Sequence, residues 1–235
     1  MQSTSDAGKP VVLITGAGRG LGHEFARQYL RDGWRVIGTV RDSVGRDRLL
    51  ALGGDVTAHH VDVTDLSTIR AMAAALKGVP IDVLVCNAGI IGPRGVQIGG
   101  VDYAAWVEVL RVNLLGPVAV AEALAENVAA GRHKVIAMIS SRLGSISESG
   151  SIGYLLYGSS KSALNSATKA LSVGLADRGV TVVALSPGWV RTDMGGQDAP
   201  LAPDTSVGGM RRVIGSLEPG ATGKFFACDG GIVPW

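Results

Sequence analysis

Tyr157-Gly158-Ser159-Ser160-Lys161 sets a phenol and an ammonium four positions apart. On a helix that spacing puts both side chains on one face, as neighbours. A free tyrosine has a pKa of about 10, too high for easy proton exchange at neutral pH. A neighbouring ammonium favours the phenolate and lowers that value, so the pair can serve as a general acid/base. Taken alone, Tyr-x-x-x-Lys is also a chance pattern, met wherever a half-buried tyrosine precedes a solvated lysine. Two further polar positions strengthen it. Ser140-Ser141-Arg142-Leu143-Gly144 closes one apolar run, and Asn87-Ala88-Gly89 closes another. If those runs are parallel strands, their carboxyl ends share the rim where such sheets bind ligands. A serine there can hydrogen-bond a substrate oxygen; its ordinary alternative is a serine that turns the chain.

An earlier apolar run leads into Thr15-Gly16-Ala17-Gly18-Arg19-Gly20-Leu21-Gly22, and a helical pattern begins at once. A pyrophosphate needs backbone N–H groups at a helix N-terminus and no Cβ in the way. Gly16 suits the sharp turn, Gly20 the approach of phosphate, and Gly22 the packing of helix on strand. The strand before and the helix after separate this pattern from a plain glycine-rich loop. About 20 residues on, an acidic residue usually holds the ribose 2′-hydroxyl of NAD. Here the run ends Thr39-Val40-Arg41-Asp42, with Val40 at the expected acidic position. The Arg41 guanidinium suits a 2′-phosphate, and Arg19 can reach the same group. NADP(H) is therefore favoured over NAD(H), with ribose binding by Asp42 as the competing possibility.

These residues need a scaffold. Short runs rich in Val, Ile and Leu predict strands over 11–15, 35–40, 56–61, 83–86, 134–140, 180–186 and 224–228. Amphipathic stretches between them predict helices over 21–31, 43–51, 66–76, 103–130, 154–177 and 205–217. Near-continuous apolar strands are buried on both faces, and strand–helix alternation gives a doubly wound parallel sheet. The expectation is an α/β Rossmann fold of seven parallel strands with helices on both faces. One dinucleotide-binding catalytic domain would span 10–235, after a loose tail over 1–9. The stretch 188–203, rich in Gly and Pro, follows a strand and suits a loop over a site.

Bulk composition agrees with an α/β domain. The chain has 235 residues, 46% hydrophobic and 18% charged, enough to bury a large core. A formal charge of +2 and no basic run argue against a nucleic-acid partner. No stretch approaches 18 uncharged apolar residues, so no membrane span is expected. Cys86 and Cys228 lie far apart and read as free thiols of a reducing cytoplasm. His23, His59, His60 and His133 have no metal-ligand spacing, and no metal site is expected.

The combination resembles the short-chain dehydrogenase/reductase family. The likeness runs along nearly the whole chain, through Thr15-Gly16-x-x-x-Gly20-x-Gly22, Asp62-Val63, Asn87-Ala88-Gly89, Asn113, Ser141, Tyr157-x-x-x-Lys161, Pro187-Gly188 and Asp229-Gly230-Gly231. The segments 141–146, 188–196 and 232–235 are similar more narrowly to its C-factor and sniffer-like carbonyl reductase branch. The resemblance implies Tyr157 as proton donor in reduction and base in oxidation. It implies Lys161 on the nicotinamide ribose, Ser141 on the substrate oxygen, and Asn113 supporting a water relay to Lys161. Asp62 and Val63 would border the adenine. Asn87, Ala88 and Gly89 would line the cofactor beside Gly16, Arg19, Gly20, Leu21, Gly22 and Arg41. Pro187, Gly188, Val190 and Thr192 would line its nicotinamide end.

Two departures stand out. Cys86 precedes Asn87 where the family usually has Asn. The gap from Ser141 to Tyr157 is longer than in most members, so Ser140 and Ser145 stay open as the catalytic serine. Trp189 and Met194, with Leu143 and Tyr154, suit either an apolar substrate wall or simple packing, and Asp193 suits fixing the loop. The implied activity is hydride transfer between NADP(H) and a small or medium apolar carbonyl or alcohol, in a cytoplasmic homodimer or homotetramer. Two alternatives remain: an NAD-linked alcohol dehydrogenase, and a dinucleotide-binding regulatory or signalling protein without significant turnover.

Overall fold

The computed structural model describes residues 8–235. Seven strands form one parallel sheet: β1 (Val11–Ile14), β2 (Arg35–Val40), β3 (Val56–His60), β4 (Val83–Cys86), β5 (Val135–Ile139), β6 (Thr181–Ser186) and β7 (Phe225–Ala227). Their order is β3-β2-β1-β4-β5-β6-β7. The direction of winding reverses between β1 and β4. There the connecting helices leave to opposite sides and open a crevice above the carboxyl ends of the strands. The doubly wound sheet expected from the alternation is the sheet observed.

Alternation along the strands feeds two cores. Leu13, Ile37, Leu84 and Ile136 point to one face. They pack against Met72 of α3 (Leu66–Ala75), Val120 of α5 (Gly116–Ala123) and Leu164 of α7 (Leu155–Gly174). Val12, Ile14, Val36 and Val85 point to the other, against Phe25 of α1 (Gly20–Arg31), Leu49 of α2 (Ser43–Leu50) and Met210 of α8 (Pro203–Gly215). Each such side chain, fully buried, contributes about 1.5–3 kcal/mol against remaining in water.

The single helix expected over 103–130 is instead segmented. It runs as α4 (Tyr103–Leu110), a π-helical segment (Arg111–Leu115), α5 and α6 (Ala125–Ala129). Pro117 explains the first break. It has no N–H to close an α-type bond to the carbonyl of Asn113, four residues back, and the ladder widens there. The stretch Tyr103–Ala123 has the length and hydropathy of a membrane span. It carries Glu108 and Arg111, however, and packs on α3, α7 and β4.

The expected tail over 1–9 falls mostly outside the described residues. Gly8 and Lys9 are tied down: Arg132 donates to the Gly8 carbonyl at 2.6 Å, and Lys9 pairs with Asp55 at 3.2 Å.

Candidate active site

β1 ends in the glycine turn, and the turn hands the chain to α1. Gly16 and Gly20 have φ of +69° and +55°, the left-handed region that a Cβ disfavours. A Cβ on Gly22 would overlap the Gly16 carbonyl, and one on Gly18 would lie 2.8 Å from the Gly45 Cα of α2. The turn is braced from neighbouring strands. Gly16 N donates to Thr39 Oγ1 at 3.1 Å, and Asn87 Nδ2 donates to the Thr15 carbonyl at 2.9 Å. Thr15 Oγ1 in turn accepts from Asn87 N and Ala88 N at 2.9 and 3.0 Å. Arg19 caps α1 in an extended conformation with no side-chain cap bond, and the first turn has no acidic residue. The first N–H groups of α1 and its positive dipole end are therefore available to an anion.

The turn opens one end of a cleft of about 790 Å³. Gly16, Arg19, Gly20, Leu21, Arg41, Asp62, Val63, Asn87, Ala88, Gly89, Tyr157, Lys161, Pro187 and Thr192 all border it. Three other expected cofactor contacts do not. Gly22 is buried in the joint between turn and helix. Val190 is buried and bridges to Leu201, and Gly188, at φ +78°, turns the chain against the Leu201 side chain. These positions shape the wall from behind. Of the expected apolar wall, Met194 borders the cleft, whereas Trp189, Leu143 and Tyr154 lie exposed outside its lining.

Charge is unevenly placed along the cleft. Asp42 accepts from Gly45 N at 2.6 Å and caps α2, which engages the carboxylate proposed as the competing ribose ligand. Arg41 and Arg48 both border the cleft, and among the described residues neither forms an ion pair. Arg19 pairs across the cleft with Asp193 at 3.3 Å, which holds the loop after β6 against the glycine turn. Asp62 accepts from the Thr64 backbone and hydroxyl, both at 2.8 Å, and these bonds hold its carboxyl below its ordinary value.

At the other end, α7 carries Tyr157 and Lys161 on one face, as the spacing predicts. Lys161 is buried and donates from Nζ to the Ile139 carbonyl at the end of β5, at 2.8 Å. Nζ lies 5.7 Å from the Tyr157 ring centroid. Burial pushes the Tyr157 phenol up to about 12, with the Ser141 hydroxyl pulling down as a hydrogen-bond partner. Burial pushes the Lys161 ammonium down to about 8. The expected lowering of the tyrosine by the lysine is not seen here: desolvation sets the direction, and Ser141 is the group that opposes it.

The three serines differ in their partners, and of the three Ser140 borders the cleft. Ser140 is buried and donates to Asn165 Oδ1 at 2.6 Å, and Ser145 is buried and accepts from Glu148 N at 3.3 Å. Ser141, which also accepts from Leu143 N at 3.2 Å, is the one beside the Tyr157 phenol. Asn113 sits in the π segment, fully buried. It accepts from Ile90 N at 2.9 Å and donates to the Ile90 carbonyl at 2.8 Å and to Ser160 Oγ at 3.0 Å. A Cβ on Gly89 would lie 3.2 Å from Asn113 Oδ1 and 3.7 Å from Lys161 Nζ, so the three residues adjoin. The arrangement can hold a proton on a phenol, pass it to a hydrogen-bonded oxygen, and keep a cation beneath.

A family model described as short chain dehydrogenase matches residues 10–200, most of the chain. The chain belongs to the short-chain dehydrogenase/reductase family. It is 41% identical over 167 residues to "C-signal" of Myxococcus xanthus, covering 71% of this chain and all of that protein. Among solved structures it is similar to the carbonyl reductase Sniffer of D. melanogaster. The TM-score is 0.89 at 31% identity, covering 97% of this chain and 100% of that one. It is also similar to an NADPH-bound carbonyl reductase from chicken fatty liver, with a TM-score of 0.88, 32% identity and coverage of 97% and 99%. This short-chain dehydrogenase/reductase is therefore an oxidoreductase of carbonyl reductase-like structure. Its cleft also has walls that the sequence did not announce. Thr39, Gly45, Arg48 and Arg94 all border it. Arg48 lies seven residues beyond Arg41, on the helix that Asp42 caps, which is the only sequence signal that placed it near.

Proposed function

We propose that this protein reduces a small or medium apolar aldehyde or ketone with NADPH, in the cytoplasm. The observation that carries this reading is Tyr157, with the Ser141 hydroxyl beside its phenol and Lys161 buried beneath it, bordering the cleft that the glycine turn opens. A dinucleotide fits the residues present. Gly20 borders the cleft, and the nearest atom to a Cβ there would be Thr192 Cγ2 at 3.9 Å, which leaves room for a phosphate; the N-terminus of α1 suits the pyrophosphate, and Arg41 with Arg48 suits a 2′-phosphate. Asp62, Val63, Asn87, Ala88 and Gly89 would hold the adenosine side, and Pro187 and Thr192 the nicotinamide side. When bound, NADPH supplies the hydride.

The chain's own residues handle the proton and the charge. Ser141 donates a hydrogen bond to the substrate oxygen and steadies negative charge as it develops there. Tyr157 carries its proton at neutral pH and gives it to that oxygen. Lys161, cationic below about pH 8, stabilises the phenolate left behind. Asn113, tied to Ile90 and Ser160, fixes the floor beside Lys161 and supports proton resupply through water.

Oxidation of NADPH by a panel of aldehydes and ketones, followed by absorbance, tests the reading. Turnover at least tenfold more efficient with NADPH than with NADH is expected, and efficient use of NADH alone would assign an NAD-linked alcohol dehydrogenase instead. The likeness to a protein named C-signal favours one second reading, a dinucleotide-binding signalling protein. Tight NADPH binding without turnover of any carbonyl would establish it. We also propose a homodimer or homotetramer. The outer faces of α4 and α7 expose Val107 and Val173, and the π segment between α4 and α5 exposes Leu115. Light scattering tests this, and a monomer would refute it.

A further inference from the structure

Four arginines border the cleft. Arg19, Arg41 and Arg48 stand beside the glycine turn and α2; Arg41 and Arg48 are assigned to the 2′-phosphate, and Arg19 pairs with Asp193. Arg94 stands on the loop after β4, and nothing above uses it. Its backbone is fixed on both sides. Gly92, at φ +67°, packs so closely on α4 that a Cβ would lie 2.5 Å from Val109 Cγ2. Gly95 N donates at 2.9 Å to the carbonyl of Gly153, which is four residues before Tyr157. Pro93, between them, has its φ locked by the ring. The side chain is thus carried on a stiff stem to the wall of the cleft that Tyr157 also borders.

The Arg94 guanidinium donates from Nη2 to the Met194 carbonyl, on the loop after β6. That engages one of its five N–H donors. Among the described residues Arg94 forms no ion pair; Asp102 caps α4, Asp198 is exposed and forms no ion pair, and two other acids of the flanking loops are taken by other arginines. Asp193 pairs with Arg19 at 3.3 Å and Glu148 with Arg142 at 3.8 Å. A forked cation with spare donors, bordering the same cleft as a proton-donating phenol, matches a carboxylate.

We propose that Arg94 binds a substrate carboxylate, so that the preferred substrates are otherwise apolar carbonyl compounds carrying a carboxylate remote from the reacting carbon. This rests on the carbonyl chemistry proposed at Tyr157. Arg94 holds the charged end while the carbonyl end reaches Tyr157 and Ser141. Because Arg94 is exposed, the expected preference is about tenfold, not thousandfold.

4-Formylbenzoate and its methyl ester carry the same aldehyde with and without the charge. With NADPH and the full chain, kcat/KM for the acid should exceed that for the ester by about tenfold, and added salt should shrink the advantage. Arg94→Gln keeps a donor for the Met194 carbonyl and removes the charge; it should bring the ratio near one, mainly through KM. A ratio near one in the unaltered protein, or one that survives in Arg94→Gln, overturns the inference. Calorimetric titration with 4-(hydroxymethyl)benzoate needs no turnover. Binding about tenfold weaker in Arg94→Gln supports the inference, and equal or undetectable binding in both proteins overturns it. If neither aldehyde is reduced, the Tyr157 chemistry fails, and the titration alone decides the role of Arg94.

Discussion

Lys161 is held where an ammonium is unfavourable. Its pKa is about 8 in the folded protein against 10.5 for an ordinary lysine. Between those values the unfolded chain binds more protons, so stability rises with pH across that window; below about 8 the full cost of the buried charge remains. Lys161→Met should therefore be more stable than the unaltered protein at pH 7, by roughly 1–3 kcal/mol, while losing turnover. Thermal unfolding from pH 7 to 10.5 checks this, because the gap should close toward the upper end. A less stable variant at pH 7 would contradict it. The serines allow a second comparison. Ser141→Ala should lower kcat by about 10²–10³, as loss of an oxyanion donor does. Ser140→Ala and Ser145→Ala should act mainly on stability, since their hydroxyls serve Asn165 and Glu148 N. Normal turnover in Ser141→Ala would remove it from the site. Tyr157, Lys161 and the glycine turn were legible because their spacing is itself the geometry. Arg48 and Arg94 were not, because their place depends on how α2 and the β4 loop lie in space.

At the scale of elements, strands were read most closely. Thr15, Val61 and Ser140 were expected within strands and fall just past their ends, yet their N–H groups still bond to neighbouring strands. They reach Val85, Val40 and Leu185 carbonyls at 3.0, 2.9 and 2.7 Å. Apolar runs therefore marked the sheet to within a residue. The segment 103–130 was read too simply, because apolar periodicity continues through the π segment and only Pro117 signals the change. That segment is where Asn113 is set, so the least legible element carries a site residue. The joint of turn and helix gives the clearest test of element packing. Gly22→Ala would drive its Cβ into the Gly16 carbonyl, so α1 must shift. A loss of about 1–3 kcal/mol in denaturant unfolding is expected, with weaker NADPH binding. A variant of unchanged stability would show that the close approach is not needed.

For the whole molecule, the sheet order places the glycine turn at the winding reversal, with the α7 pair rising beside β5, and the cleft joins them. The arginines give this cleft its sign at one end. Arg41→Ala and Arg48→Ala should each reduce the NADPH-over-NADH ratio of kcat/KM about tenfold, and the KM for NADPH should rise with salt. An unchanged ratio in Arg41→Ala would return Asp42 and NAD to consideration. The central claim, that Tyr157 donates the proton, is tested most directly by Tyr157→Phe, which keeps the ring and removes only the hydroxyl. Turnover of an aldehyde with NADPH should fall at least about 10³-fold while NADPH binding, read by fluorescence, stays within a few-fold. Turnover retained within tenfold, with binding intact, would contradict it.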